Sequence, residues 1–109
     1  MRLENIPFET VDWQAVTGVE YPGETGVAVW RARQFGEIRV RMIDYSVGYR
    51  ADHWCEKGHL LLCCRGELHT ELKDGRVVVL RAGMGYYVAD GAQPHRSSSP
   101  LGATLYIAD

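Results

Sequence analysis

From residue 26 onward, apolar and polar residues alternate with a period of two rather than 3.6. Glycine, proline and Asx residues break the alternation into short runs. The pattern predicts strands over 26–33, 37–46, 51–55, 58–65, 67–73, 76–81, 86–89, 94–98 and 103–107. Gln34-Phe35-Gly36 reads as the turn between the first two. Asp74-Gly75 is a two-residue hairpin signal, because such turns need positive φ that glycine tolerates. No segment has the pattern of a long amphipathic helix. Many short strands at regular spacing predict an all-β sandwich or barrel. Residues 1–25 differ: Pro7, Gly18, Pro22 and Gly23 punctuate them. They read as an arm with one short helical turn near 11–16. The arm is expected to pack on the 26–109 barrel, since Ile6, Phe8, Trp13 and Tyr21 would otherwise stand in water.

One run breaks the alternation. His59-Leu60-Leu61-Leu62-Cys63-Cys64 is apolar on both faces, as in a strand covered on both sides. A barrel interior covers one face. The arm or a second subunit must cover the other, and the expectation is a homodimer through this sheet.

Composition narrows the class. The chain has 109 residues, 46% hydrophobic and 24% charged, with a formal net charge of −2. That is one globular domain with enough apolar content to exclude intrinsic disorder. Twelve basic residues against 14 acidic ones leave no basic field for nucleic acid. No apolar stretch is long enough for a membrane-spanning helix, and the first residues lack the apolar core of a signal peptide. The expected location is the cytoplasm. Cys55, Cys63 and Cys64 are an odd number with two adjacent, which suits reduced thiols rather than a disulfide framework. Arg31 and Arg33, like Arg39 and Arg41, alternate with apolar neighbours and read as the solvated face of a hairpin. An anion-binding patch is the sharper alternative.

The four histidines fall into two groups. His69 lies among Glu67, Glu71 and Lys73 on one face and is expected at the surface. His53 and Cys55 stand at i and i+2, so on a strand they project from the same side. Gly58 permits a turn, and His59 opens the next strand. The turn at 91–94 delivers His95 to the start of a late strand. Imidazole and thiolate are ligands for Zn, Fe, Ni or Cu. By itself the spacing is equally compatible with polar residues at a barrel mouth that hold no metal.

The stretch from Gly48 to Gly66 resembles the first motif of the cupin superfamily, with His53-Trp54-Cys55 in place of its His-x-His and His59 in place of its Glu. Gly85, Asp90-Gly91-Ala92 and His95 resemble the second motif, with Asp90, Ala92 and Ser99 departing from its Pro, Gly and Asn. The segment 51–59 is also similar to a group of uncharacterised bacterial cupins named for an Asp-His-Cys-Trp signature. The resemblance implies a cupin-type β-barrel (double-stranded β-helix, or jelly roll). It implies a divalent transition metal, Zn, Fe, Ni, Mn or Cu, held by His53, Cys55, His59 and His95. His53 and His95 match in residue type, whereas Cys55 matches by position only. If Cys55 binds, the site is a soft His3Cys set; if it stands off, three histidines leave open positions.

A site inside the barrel would be shaped by inward aromatic side chains, for which Tyr49, Trp54, Tyr86, Tyr87 and Tyr106 are candidates. Alternation allows only one of Tyr86 and Tyr87 to line the cavity and turns Trp54 outward. Arg39, Arg41 or Arg96 could hold a substrate carboxylate, though surface exposure is the plainer expectation for each. The expected function is metal-dependent chemistry on a small molecule, oxygenase-like or isomerase-like. A non-catalytic metal or ligand-binding module, or a metal-free dimeric barrel, is the alternative.

Overall fold

A computed structural model describes residues 2–109. After a 3-10 turn at Trp13–Ala15 come nine strands: β1 (Val19–Pro22), β2 (Val27–Phe35), β3 (Ile38–Tyr45), β4 (Tyr49–Arg50), β5 (His59–Leu72), β6 (Val77–Arg81), β7 (Gly85–Val88), β8 (His95–Ser99) and β9 (Ala103–Ala108). All the strand pairings are antiparallel. Two sheets share β5. Its first half lies between β9 and β7, in the order β1-β2-β3-β9-β5-β7. Its second half lies between β6 and β8, in the order β6-β5-β8-β4. Among the described residues, no helix is long and apolar enough to cross a membrane.

The alternation predicts two strands, over 58–65 and 67–73, where the chain forms the single 14-residue β5. The break in pattern at Arg65-Gly66 is a bend rather than a strand end. The β5–β9 register slips between Cys63 and Arg65, and Gly66 adopts φ +78°. A bulge of this kind bends and twists a strand. It lets one strand leave the first sheet and enter the second without losing its ladder. Gly66 is also required sterically, because a Cβ there would collide with the Gly102 carbonyl oxygen.

Within β5 the side chains alternate. His59, Leu61, Cys63, Leu68 and Thr70 are buried, whereas Leu60, Leu62 and Cys64 face outward and are exposed. The run that reads as apolar on both faces therefore has one core face and one open face. The core joins Ile43, Leu61, Leu105 and Ile107 of the first sheet to Leu68 and Leu80 of the second.

Two further segments differ from the pattern. Residues 52 and 53 form a bend, and within 51–55 only Cys55 makes a bridge, an isolated one to His95. Residues 19–22, within the segment read as irregular, form β1 on the edge of β2, where Tyr21 packs on Trp30 with ring centroids 4.6 Å apart. Phe8, expected against the barrel, is 95% exposed. The arm meets the barrel through β1 and through Ile6, which lies beside the β2–β3 turn at Gly36.

Replacing Gly66 with alanine combines a positive-φ penalty of ~1–2 kcal/mol with a backbone collision. Gly75→Ala at the hairpin, where φ is +97° and no atom lies within 4 Å of a new Cβ, carries the φ penalty alone. At roughly 4 °C per kcal/mol for a domain of this size, Gly66→Ala should lower the melting temperature by about 8 °C or more and Gly75→Ala by about half that. Equal shifts in a thermal melt would remove the steric account of the bend.

Candidate metal centre

Backbone hydrogen bonds bring three of the four expected ligands together. Cys55 and His95 exchange both main-chain bonds, Cys55 N–H to His95 O at 2.7 Å and His95 N–H to Cys55 O at 3.0 Å. The 56–58 loop is tied to the turn before β8 by Gly91 N–H to Glu56 O at 2.9 Å and by Gly58 N–H to Asp90 Oδ1 at 2.7 Å. Asp90 thus accepts from a backbone donor of the other loop. His59 begins β5 on the inner face. As a result the donor atoms of Cys55, His59 and His95 lie within 4.8 Å of one another, with both histidines buried.

The hydrogen bonds decide which imidazole nitrogens are available. His95 Nδ1 lies 2.8 Å from the Gln93 carbonyl oxygen. A carbonyl only accepts, so Nδ1 carries the proton and Nε2 presents its lone pair. His59 Nε2 stands 3.2 Å from His95 Nε2 and 3.1 Å from the Tyr86 hydroxyl. Two nitrogens bound at 2.0–2.1 Å to one tetrahedral ion stand ~3.3 Å apart, which the observed spacing matches. His59 Nδ1 is buried without a hydrogen-bond partner, and Asp109 Oδ2 lies 3.8 Å from it. With His59 Nε2 given to a metal, Nδ1 would hold the proton and face a carboxylate, the usual outer partner of a ligating histidine. The donor chemistry, the spacing and the orphaned nitrogen all fit a divalent ion.

Burial, followed by electrostatic interaction with His95 and Arg41, pushes the His59 pKa down to about 4. His59 is therefore neutral at neutral pH, as a ligand must be. Burial, then Tyr45 and Cys55 nearby, raises the Tyr86 hydroxyl above its ordinary range, so it stays a neutral donor.

The three side chains open into a cavity of about 240 Å³. Trp30, Ile43, Leu61 and Ile107 line it on the apolar side, and Arg39, Arg41, Lys57 and Asp109 line it on the charged side. Here the solvated-hairpin reading of β3 is corrected. Arg39, Arg41, Ile43 and Tyr45 share one parity on β3 and line the cavity. Arg41 is buried, its guanidinium carbon 4.6 Å from the centre of the Trp30 ring. Both arginines grip Asp109, Arg39 through Nε at 3.0 Å and Nη2 at 3.2 Å and Arg41 through Nη2 at 2.8 Å. Burial acts to raise the Asp109 carboxyl, but Arg39 and Arg41 outweigh it and hold it below its usual range. This ion-paired wall is what lets a guanidinium sit inside the barrel.

His53 stands apart from the cluster. Its side chain is 74% exposed at the cavity mouth, and its Nδ1 bonds Asp52 at 2.7 Å. The i, i+2 argument needs a strand, and the bend at 52–53 removes it. Trp54 lies between Lys73 and Arg96, each charge about 4.5 Å from its ring, outside the cavity lining. Of the aromatic candidates, Tyr49 and Tyr86 line the cavity, whereas Tyr87 is 83% exposed and Tyr106 also faces out. His69 is partly exposed and paired with Glu67 at 2.6 Å. Parity along β3 could have found Arg41. Nothing in the sequence pattern points to Asp109.

The sequence matches no protein-family model and no curated protein. Solved structures are nonetheless similar in fold. A predicted oxalate decarboxylase from Thermotoga maritima superposes with a TM-score of 0.75 at 13% identity, covering 92% of this chain and 96% of that one. Ectoine synthase from P. lautus gives a TM-score of 0.75 at 12% identity over 93% of this chain and 76% of its own. An RmlC-like cupin from Shewanella frigidimarina NCIMB 400 gives 0.67 at 20% identity, covering 96% and 88%. The shared double sheet establishes the architecture expected from the two motifs: this chain folds as a cupin-type β-barrel.

Proposed function

We propose that the barrel holds a divalent transition metal on Cys55, His59 and His95 and uses it on a small molecule bound in the cavity. The observation that carries this reading is the pair of facing Nε2 atoms 3.2 Å apart beside the Cys55 thiol. His53 joins as a fourth ligand only if its side chain leaves Asp52 and swings inward. When bound, the metal supplies a Lewis acid or an O2 site, suited to isomerase-like or oxygenase-like chemistry. The chain's own residues do the rest. Gln93 holds the His95 tautomer, Asp109 faces His59 Nδ1, and Tyr86 offers a neutral hydroxyl at the cavity wall. The apolar wall limits water around the reacting group. A non-catalytic metal-binding barrel shares the same donors and differs in having no turnover.

The chain is further proposed to dimerise through the outer face of the first sheet. Leu60 pairs with Tyr87 and Leu62 with Tyr106 across neighbouring strands, so these four exposed side chains form one apolar patch. Such a patch on a small domain is usually covered.

Protein purified without chelator or nickel resin should contain one transition-metal ion per chain by elemental analysis, and His95→Ala should lose it. Absence of stoichiometric metal in the wild type, or full retention in the variant, would overturn the site.

Acid should weaken the metal-free fold. The unfolded chain protonates His59 near 6.5 whereas the folded chain resists until about 4, so the unfolded state binds more protons between those values. His59 should therefore cost the fold stability as pH falls from about 6.5 to 4, with no further loss from this group below that. His59→Leu should flatten the slope of melting temperature against pH in that window. An unchanged slope would show that His59 is not buried as described.

Light scattering after gel filtration should give twice the chain mass at micromolar concentration, and Leu60→Lys with Tyr87→Lys should halve it. A wild-type monomer under those conditions would eliminate the dimer.

A further inference from the structure

The charged wall of the cavity is not balanced. Arg39 and Arg41 together face one carboxylate, that of Asp109. Arg41 is almost fully buried, and its Nε–H has no acceptor. Lys57 stands at the mouth and adds a third positive charge facing Asp109. Arg96, also on the lining, is already neutralised by Glu71 at 2.8 Å. Two guanidinium groups and an ammonium against one carboxylate leave an excess positive charge on a partly desolvated surface, where an unpaired charge is costly. The Trp30 face relieves part of that cost. A divalent ion on the three ligands adds charge of the same sign. The remaining lining is hydrocarbon, from Ile43, Leu61 and Ile107.

We infer that the cavity takes a small organic carboxylate, its anionic end against Arg41, Arg39 and Lys57 and its carbon skeleton against the apolar wall. Size restricts the class further. A volume of about 240 Å³ holds roughly eight water-sized groups at ~30 Å³ each, so the ligand has about ten non-hydrogen atoms or fewer. Nucleotides are too large. The inference deepens the proposed function and rests on the same cavity being the reaction site, but it does not need the metal to be present for the anion to bind.

Calorimetry with acetate, lactate and malonate tests it, on protein stripped of metal and on protein loaded with zinc, at low ionic strength. Malonamide, the uncharged analogue of malonate, is the control. At least one carboxylate should bind metal-free protein at one per chain, and malonamide should bind on the order of tenfold more weakly than malonate or worse. Lys57→Met should weaken carboxylate binding several-fold. Arg41→Lys, which keeps the charge but loses the planar fork, should weaken it about tenfold. Lys57 is exposed, so Lys57→Met reports even if Arg41→Lys fails to fold. The inference is overturned if no carboxylate binds either form, if malonamide binds as well as malonate, or if carboxylate binding survives Lys57→Met unchanged. Metal analysis on the same samples separates the two readings. Carboxylate binding with no stoichiometric zinc in the loaded sample sinks the metal centre alone, and a loaded metal without carboxylate binding sinks the carboxylate alone.

Discussion

Everything in this molecule hangs on one strand being shared by two sheets. β5 pairs with β7 and β9 through its first half and with β6 and β8 through its second. In a chain this small there is no room for two independent sheets with separate cores. A shared strand makes one interior serve both, and the bulge at Cys63–Arg65 with Gly66 is the joint that permits it. His59, at the first residue of this strand, inherits its position from the same geometry. The strand that closes the barrel therefore also supplies the central donor of the candidate site.

The second constraint is electrostatic. Barrel interiors are apolar, yet this one contains two histidines, a thiol and an arginine. Each polar group is accommodated by a different device. His95 is fixed by the Gln93 carbonyl, and His59 avoids the cost of charge by staying neutral. Arg41 is held by Asp109 and by the face of Trp30. These devices meet at Asp109, which links the cationic wall to the imidazole side of the cavity. The proposed metal centre and the proposed anion site thus lie next to each other in one cavity and meet at one carboxylate.

Much of this is legible in the sequence, and the reasons for the rest are physical. Period-two alternation identifies the class because it reflects the pleat directly. It also anticipates that Tyr86 and Tyr87 face opposite ways. It misjudges β5 because a glycine at a bend and a glycine at a strand end look alike in one dimension. The i, i+2 rule sets His53 beside Cys55 only where a ladder continues, whereas the chain bends at 52–53 and rejoins at Cys55. Arginine inside a barrel runs against the ordinary preference for exposed charge. A carboxylate partner 68 residues away and the face of Trp30 make it tenable. Long-range ion pairs of that kind leave no local trace.

The reciprocal main-chain bonds between Cys55 and His95 carry an evolutionary implication. Because backbone groups hold the loop, the identity of the side chain at position 55 is released from any duty in folding. Thiolate, imidazole or carboxylate could be exchanged there with the scaffold unchanged. The preference for softer or harder ions would shift as the donor changes. If the proposed metal is held there, a barrel built this way is open to metal switching by single substitutions.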